Sequence, residues 1–207
     1  MRKKSHILLG RYLADQMSEV YSLQQHRKAF CLGNIMPDLR PSFLTTRHEF
    51  FGTFSQLQEK MRELIERNPE EDNARVYWRR FGEVMHYMAD YFTFPHNRTY
   101  KGSLAEHNSY EAELKNCLKE CILSGNADSQ LEEAKHFDSF EELVGYIRER
   151  HACYLESPRC IADDIRFILR VCYQVIQGIF QLCLRRQFHM EAVSYTHLRA
   201  HETLSDL

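Results

Sequence analysis

Residues that form turns are scarce in this chain, whose 207 residues include only eight glycines and five prolines. β-Sandwiches and barrels need a turn about every ten residues, so neither class fits this composition. Hydrophobic residues make up 43% of the sequence and aromatic residues 12%, which is enough for a core and excludes a wholly disordered chain. The length suits one domain.

Excess charge and long apolar runs are also missing. The formal net charge is −2 at pH 7, so no basic field over the whole surface favours nucleic acid. No run of about 18 apolar residues occurs, and we predict no transmembrane segment. The apolar run after Arg2–Lys4 is interrupted by Arg11 and Asp15, so it does not read as a signal peptide.

Paired cysteine motifs are absent as well. The seven cysteines include no Cys-x-x-Cys pair and are too sparse for a disulfide scaffold. Reduced thiols are typical of the cytoplasm. We therefore expect a cytoplasmic protein.

Apolar residues recur at helical spacing through most of the chain, and no alternating strand pattern competes with them. The predicted helices run over residues 6–29, 54–67, 73–92, 103–123, from 139 onward, and 159–188. Ser139 with Glu142 has the spacing of a capping box at the start of the fifth helix. The fold class predicted is all-α, a single-domain bundle of about six helices.

The last residues have a different character. The run from Ser194 to Thr203 resembles the peptide obtained when sequencing-adapter DNA is translated in frame onto a gene. We therefore expect a domain over 1–193 and a non-native tail over 194–207. His197 and His201 are left out of the metal-site prediction for this reason.

Histidine is the residue in excess, with eleven copies, and it is the commonest metal ligand. Two histidines precede a carboxylate by four residues: His86 with Asp90, and His107 with Glu111. Residues four apart share a helix face, with Cβ atoms about 5–6 Å from each other, so each pair can close on one cation. His96 lies between the two pairs.

Three more candidate ligands precede these pairs: His6, Asp38 and His48. One such pair alone is usually a solvated ion pair. Eight candidates in order are more informative, because zinc takes about four ligands and the set therefore suits more than one ion. The other four histidines of the proposed domain are assigned to the surface or to helix caps: His26, His136, His151 and His189.

The order of these eight residues resembles the zinc-dependent phospholipase C family, which shares its all-helical fold and trinuclear zinc site with single-strand-specific nucleases. The resemblance covers residues 6 to about 111 and is most specific from His86 to Glu111. It implies that Asp38 is a candidate general base. It also implies one zinc on Asp38, His48, His86 and Asp90, a second on His96, His107 and Glu111, and a third on His6 and the shared Asp90.

The resemblance implies a zinc-dependent hydrolase of phosphate esters, in which zinc-bound hydroxide attacks the phosphorus of a phosphodiester, phospholipids included. We expect two zinc ions. The third site departs from the family, which uses the amine of a first-residue tryptophan, whereas this chain begins with Met1 and its tryptophan is Trp78. The aromatic residues associated with choline recognition are replaced by Leu39 and Thr45, so phosphatidylcholine is not predicted.

Two alternatives stay open. The first is a single-strand nuclease of the same fold, which the near-neutral charge disfavours because nucleic acid calls for a basic groove and stacking aromatics. The second is a non-catalytic, zinc-stabilised helical binding module, which the number of carboxylates among the ligands disfavours. The sequence predicts neither the substrate nor the oligomeric state.

Overall fold

The computed structural model describes residues 1–40, 49–67, 73–158 and 160–205, with side chains described as far as Phe188. In these ranges the regular secondary structure is helical throughout, which confirms the all-α prediction, and the α-helices number eight rather than about six. They are α1 Lys3–Gln16, α2 Tyr21–Gln25, α3 Arg27–Gly33, α4 Phe50–Glu66, α5 Ala74–Tyr91, α6 Leu104–Leu123, α7 Phe140–Glu156 and α8 Ile161–Ser205. Short 3₁₀ turns at Pro37–Leu39 and Phe94–His96 lie between them.

The single first helix that the apolar spacing predicts over 6–29 is wrong, because the chain breaks there into α1, α2 and α3. The side-chain amide of Gln24 donates to the carbonyl oxygens of Ala14, at 2.8 Å, and Met17, at 3.1 Å. The last carbonyls of a helix need such partners when the helix stops. The apolar spacing continues through the break, and for that reason periodicity alone does not reveal it.

Side-chain caps set the starts of α6 and α7. Ser103 and Glu106 form a reciprocal capping box at the start of α6. At α7, Ser139 accepts from the backbone of Glu142 at 3.2 Å, but the Glu142 carboxylate accepts from the backbone of Asp138. The predicted capping box at Ser139 is therefore only half formed.

The core lies around α5 and the first half of α8. Trp78, Phe81 and Tyr91 of α5 are fully buried. Among the described residues, Ile161–Phe188 is long and apolar enough to cross a membrane by length and composition, with a mean hydropathy of 1.5. Most of this stretch is buried against the other helices, as a core helix is. α8 continues as one helix past residue 193, and the boundary expected there stays a prediction.

Two glycines bring α3 and α5 into backbone contact. A Cβ atom placed on Gly82 would lie 2.1 Å from the carbonyl oxygen of Phe30, and one on Gly33 would lie 2.0 Å from that of Arg79. Only glycine allows so close an approach. His86 lies one helical turn beyond Gly82, and its Nδ1 donates to the carbonyl oxygen of Asn34, the residue after Gly33, at 2.8 Å. The glycine contact therefore sets the position of His86.

Candidate metal centre

Three of the predicted ligands converge in a buried cluster, here called the inner group: His6, Asp38 and His86. Their ligand atoms all lie within 4.8 Å of one another. The rings of His6 and His86 are fully buried and stack with their centroids 3.9 Å apart. Asp38 comes from the turn Pro37–Leu39, and its Oδ1 lies 3.6 Å from Nε2 of His86.

Three others form the outer group: His96, His107 and Glu111, whose ligand atoms also lie within 4.8 Å of one another. His96 lies on the turn Phe94–His96, and the other two share a face of α6. Oε1 of Glu111 lies 3.1 Å from Nε2 of His96 and 3.2 Å from Nε2 of His107. The side chain of His107 is 27% exposed, so the outer group reaches solvent.

Asp90 lies between the two groups. Its Oδ1 is 3.2 Å from Nε2 of His6, and its Oδ2 is 3.2 Å from Nε2 of His86 and 3.6 Å from Nδ1 of His96. Burial raises the pKa of the Asp90 carboxyl, but His96, the Met1 amino group and His86 outweigh it, so this pKa lies well below its usual value. A buried, ionised carboxylate that faces both groups is suited to bridge two cations.

The donor set fits a metal better than it fits hydrogen bonding. Nδ1 of His86 donates to Asn34, which leaves Nε2 facing the carboxylates of Asp38, at 3.6 Å, and Asp90, at 3.2 Å. Among the described residues, neither buried ring nitrogen of His6 has a hydrogen bond of acceptable geometry. Burial lowers the pKa of His6 to about 3, which keeps the imidazole in its neutral, metal-binding form. Lone pairs that face one another call for a cation between them.

The structure therefore gathers seven of the eight predicted ligands in one place. The eighth, His48, lies outside the described residues. His6 lies beside Asp38 and His86, whereas the resemblance assigns it to a separate third ion with Asp90. The surface or cap role expected for His151 is wrong: its ring is buried, stacks on Phe50 with centroids 3.9 Å apart, and bonds Oδ1 of Asn97, the residue after His96.

A family model described as zinc-dependent phospholipase C matches residues 5–161. The chain belongs to the zinc-dependent phospholipase C family. Neither the curated proteins nor the solved structures gave a match. All eight predicted ligands fall inside the matched residues of this family.

The amino group of Met1 lies among the candidate ligands of this phospholipase C-like site. Its nitrogen is 2.6 Å from Oδ1 of Asp90, 3.0 Å from Oε1 of Glu111 and 3.0 Å from Nε2 of His96. Burial lowers the pKa of this amino group, but Asp90 and Glu111 raise it more, so the net shift is upward. As a cation it balances the same carboxylates that would hold a metal.

Asp164, on the first turn of α8, is a supporting residue that the sequence does not reveal. Its buried carboxylate accepts from the backbone of Phe94 at 2.9 Å, from the hydroxyl of Tyr110 at 2.9 Å and from that of Tyr154 at 2.7 Å. Phe94 begins the turn that carries His96, and Tyr110 precedes Glu111. One carboxylate thus fixes two ligand-bearing elements of the outer group. No spacing signal marks it, because its partners Phe94, Tyr110 and Tyr154 lie 70, 54 and 10 residues away along the chain.

In this member of the phospholipase C family, a cavity of about 560 Å³ opens onto the outer group. Asp38, His96, His107 and Glu111 lie along it, so both groups are accessible from one side. The other lining residues are Met1, Arg2, Lys3, Lys4, Leu104, Asn108 and Lys115. A phosphate ester in this cavity would meet the candidate ligands together with an excess of cationic side chains.

Proposed function

We propose that this protein is a zinc-dependent phosphodiesterase of the phospholipase C type. The observation that carries the proposal is the pair of three-residue ligand groups joined by the buried carboxylate of Asp90. Two cations held close together are the usual arrangement for displacement at a phosphodiester. Family membership supports the same class of reaction.

Each ion has a donor set among the residues that the resemblance names. We assign Asp38, His86 and Asp90 to one ion, with His48 as its further ligand, and His96, His107 and Glu111 to the second. We expect two zinc ions. A third ion would lie between His6 and Asp90.

Zinc, when bound, supplies a Lewis acid that polarises the phosphoryl oxygens and makes a water nucleophilic near neutral pH. The protein's own residues fix the rest. Asp38 lines the cavity, and we assign its carboxylate as the general base that takes the proton of the attacking water. The pKa of Asp90 is held well below its usual value, and burial lowers the pKa of His96. Neither of these two groups is therefore suited to deliver a proton.

Metal analysis combined with a chromogenic phosphodiester tests the proposal. We expect about two zinc ions per purified chain, hydrolysis of bis(p-nitrophenyl) phosphate, loss of that activity with a chelator and its return with zinc. Asp38→Asn should abolish turnover while zinc binding is reduced but retained. A protein that purifies without zinc, or one whose hydrolysis is unaffected by the chelator, would contradict the proposal.

A further inference from the structure

Four cationic side chains line the cavity beside the outer group. Arg2, Lys3 and Lys4 come from the start of the chain, and Lys115 comes from α6. Arg2 donates to the carbonyl oxygen of Asn108 at 2.8 Å, and the three lysines form no ion pair within the described residues. The whole chain has a net charge of −2, so the cationic lining of this cavity is a local feature and not part of a basic surface overall.

Among its described lining residues, the cavity lacks a feature that would hold a quaternary ammonium group. The carboxylates among its described lining residues are Asp38 and Glu111, both assigned to zinc. No phenylalanine, tyrosine or tryptophan belongs to that lining, whereas cation-binding pockets for choline-like groups are built from aromatic faces. A zwitterionic choline headgroup would therefore bring its positive charge close to lysines without compensation.

The same lining favours a lipid over a polynucleotide. Leu104, the first residue of α6, lies on the cavity with 76% of its surface exposed. A leucine that shares a cavity lining with lysines suits an anionic membrane surface, where apolar contact and attraction to lipid charge add. Single-stranded nucleic acid is held by stacking on aromatic side chains, which the described lining lacks.

We infer that the substrate is a phospholipid whose headgroup leaves a net negative charge, hydrolysed at an anionic bilayer surface; this rests on the function proposed above. In the reaction, water adds a hydroxyl group to phosphorus, and the bond between phosphorus and the diacylglycerol oxygen breaks. That oxygen takes the remaining proton, so the products are diacylglycerol and a phosphorylated headgroup. The lysines attract the headgroup and the surrounding lipid, and Leu104 contacts the bilayer.

Hydrolysis by the zinc-loaded full-length protein is compared on phosphatidylglycerol vesicles, on phosphatidylcholine vesicles, on a single-stranded oligonucleotide and on soluble bis(p-nitrophenyl) phosphate. We expect phosphatidylglycerol to be hydrolysed at least about tenfold faster than phosphatidylcholine at low salt, since each lysine near an anionic surface contributes about 1 kcal/mol. The ratio should fall as salt rises, because the attraction is screened. Vesicle co-sedimentation measures binding separately from turnover.

Matched variants test which residues contribute to vesicle binding. Lys115→Gln and the double variant Lys3→Gln/Lys4→Gln should each lower binding to phosphatidylglycerol vesicles about fivefold or more, whereas Lys28→Gln, away from the cavity lining, should not. Leu104→Asn should weaken vesicle binding, and Leu123→Asn, equally exposed at the other end of α6, should leave it unchanged.

The outcomes separate the two hypotheses. Turnover of the soluble diester together with equal or faster hydrolysis of phosphatidylcholine would overturn the headgroup inference and leave the phosphodiesterase proposal standing. Faster hydrolysis of the oligonucleotide than of either lipid would overturn it in favour of a nuclease. Failure to hydrolyse any phosphodiester would overturn the proposed function, and the inference with it.

Discussion

The inner and outer groups offer similar ligand types in different surroundings. The side chains of His6 and His86 have no exposed surface, whereas those of His96 and His107 are 13% and 27% exposed. The inner group is held by main-chain contacts, through the Gly33–Gly82 approach and the Asn34 carbonyl. The outer group is held by polar side chains, through Asp164. The difference shows that one centre can be built by core packing and by a hydrogen-bond network at once.

The two surroundings predict different behaviour for the bound ions. Two of the three inner ligands are imidazoles buried in the core, so an ion there should leave more slowly than one whose ligands all line a cavity and exchange with solvent directly. We therefore expect a chelator to remove the outer ion first. We also expect substrate to arrive at the outer group, because the cavity opens there.

The largest expected effect comes from Asp90, the residue that the two groups share. Asp90→Asn preserves shape but removes the charge that faces both groups, so hydrolysis of the chromogenic diester should fall by about a thousandfold, the upper range for loss of one preorganised electrostatic group. The zinc content should also drop, and circular dichroism should show the fold retained. An unchanged rate would refute the bridging role.

Gly82→Ala should break the support of the inner group. Its Cβ would lie 2.1 Å from a backbone oxygen, which forces α3 and α5 apart, so we expect the free energy of unfolding to fall by about 3 kcal/mol. Zinc should be lost from the inner group before the outer. Gly145→Ala is the control, because a Cβ there meets nothing within 4 Å and alanine favours a helix interior by about 1 kcal/mol. If both variants were equally stable, the glycine contact would not be what places His86.

Asp164→Asn tests the support of the outer group through the pH dependence of the free energy of unfolding. Burial raises the pKa of this carboxyl to about 6 in the folded protein, against 3.8 for its ordinary value. The protonated Asp164 carboxyl therefore stabilises the folded state. This contribution is fully present below about pH 4 and is lost as pH rises through about 6.

Asparagine does not ionise, so the variant should gain about 2 kcal/mol relative to wild type between pH 4 and pH 8, as measured by denaturant unfolding of metal-free protein. Its amide nitrogen can donate to Tyr154 while its oxygen accepts from Phe94 and Tyr110. A difference that does not change with pH would show that the carboxyl is not the titrating group.

The smallest effect on the fold is expected for His107→Ala. In the metal-free protein its partly exposed ring contributes little, and unfolding should change by no more than about 0.5 kcal/mol. The protein should nevertheless bind one zinc ion fewer. The matched change His86→Ala leaves a buried cavity and an unpaired Asn34 carbonyl, so it should cost about 2 kcal/mol or more even without metal. Equal costs for the two variants would remove the distinction between the groups.

Local spacing predicts the parts of this centre that lie on one helix. The pairs His86–Asp90 and His107–Glu111 contact as expected, because helix geometry alone brings residues four apart together. Periodicity also predicts the all-α class. It does not predict that Gln24 ends α1, that Asn34 orients His86, or that Asp164 supports His96. Each of these depends on a contact between distant segments, and a hydrophobic repeat carries no information about those.

The position of Asp164 bears on how far this centre could be transferred to another protein. Residues 6–111 contain every candidate ligand, and a designer who grafted that stretch onto a new bundle would copy them all. The graft would lack the carboxylate at the start of α8 that holds the backbone of Phe94 and the hydroxyl of Tyr110. Such a transplant would have the ligands of the outer group but would lack the hydrogen bonds that hold their two helical elements in position.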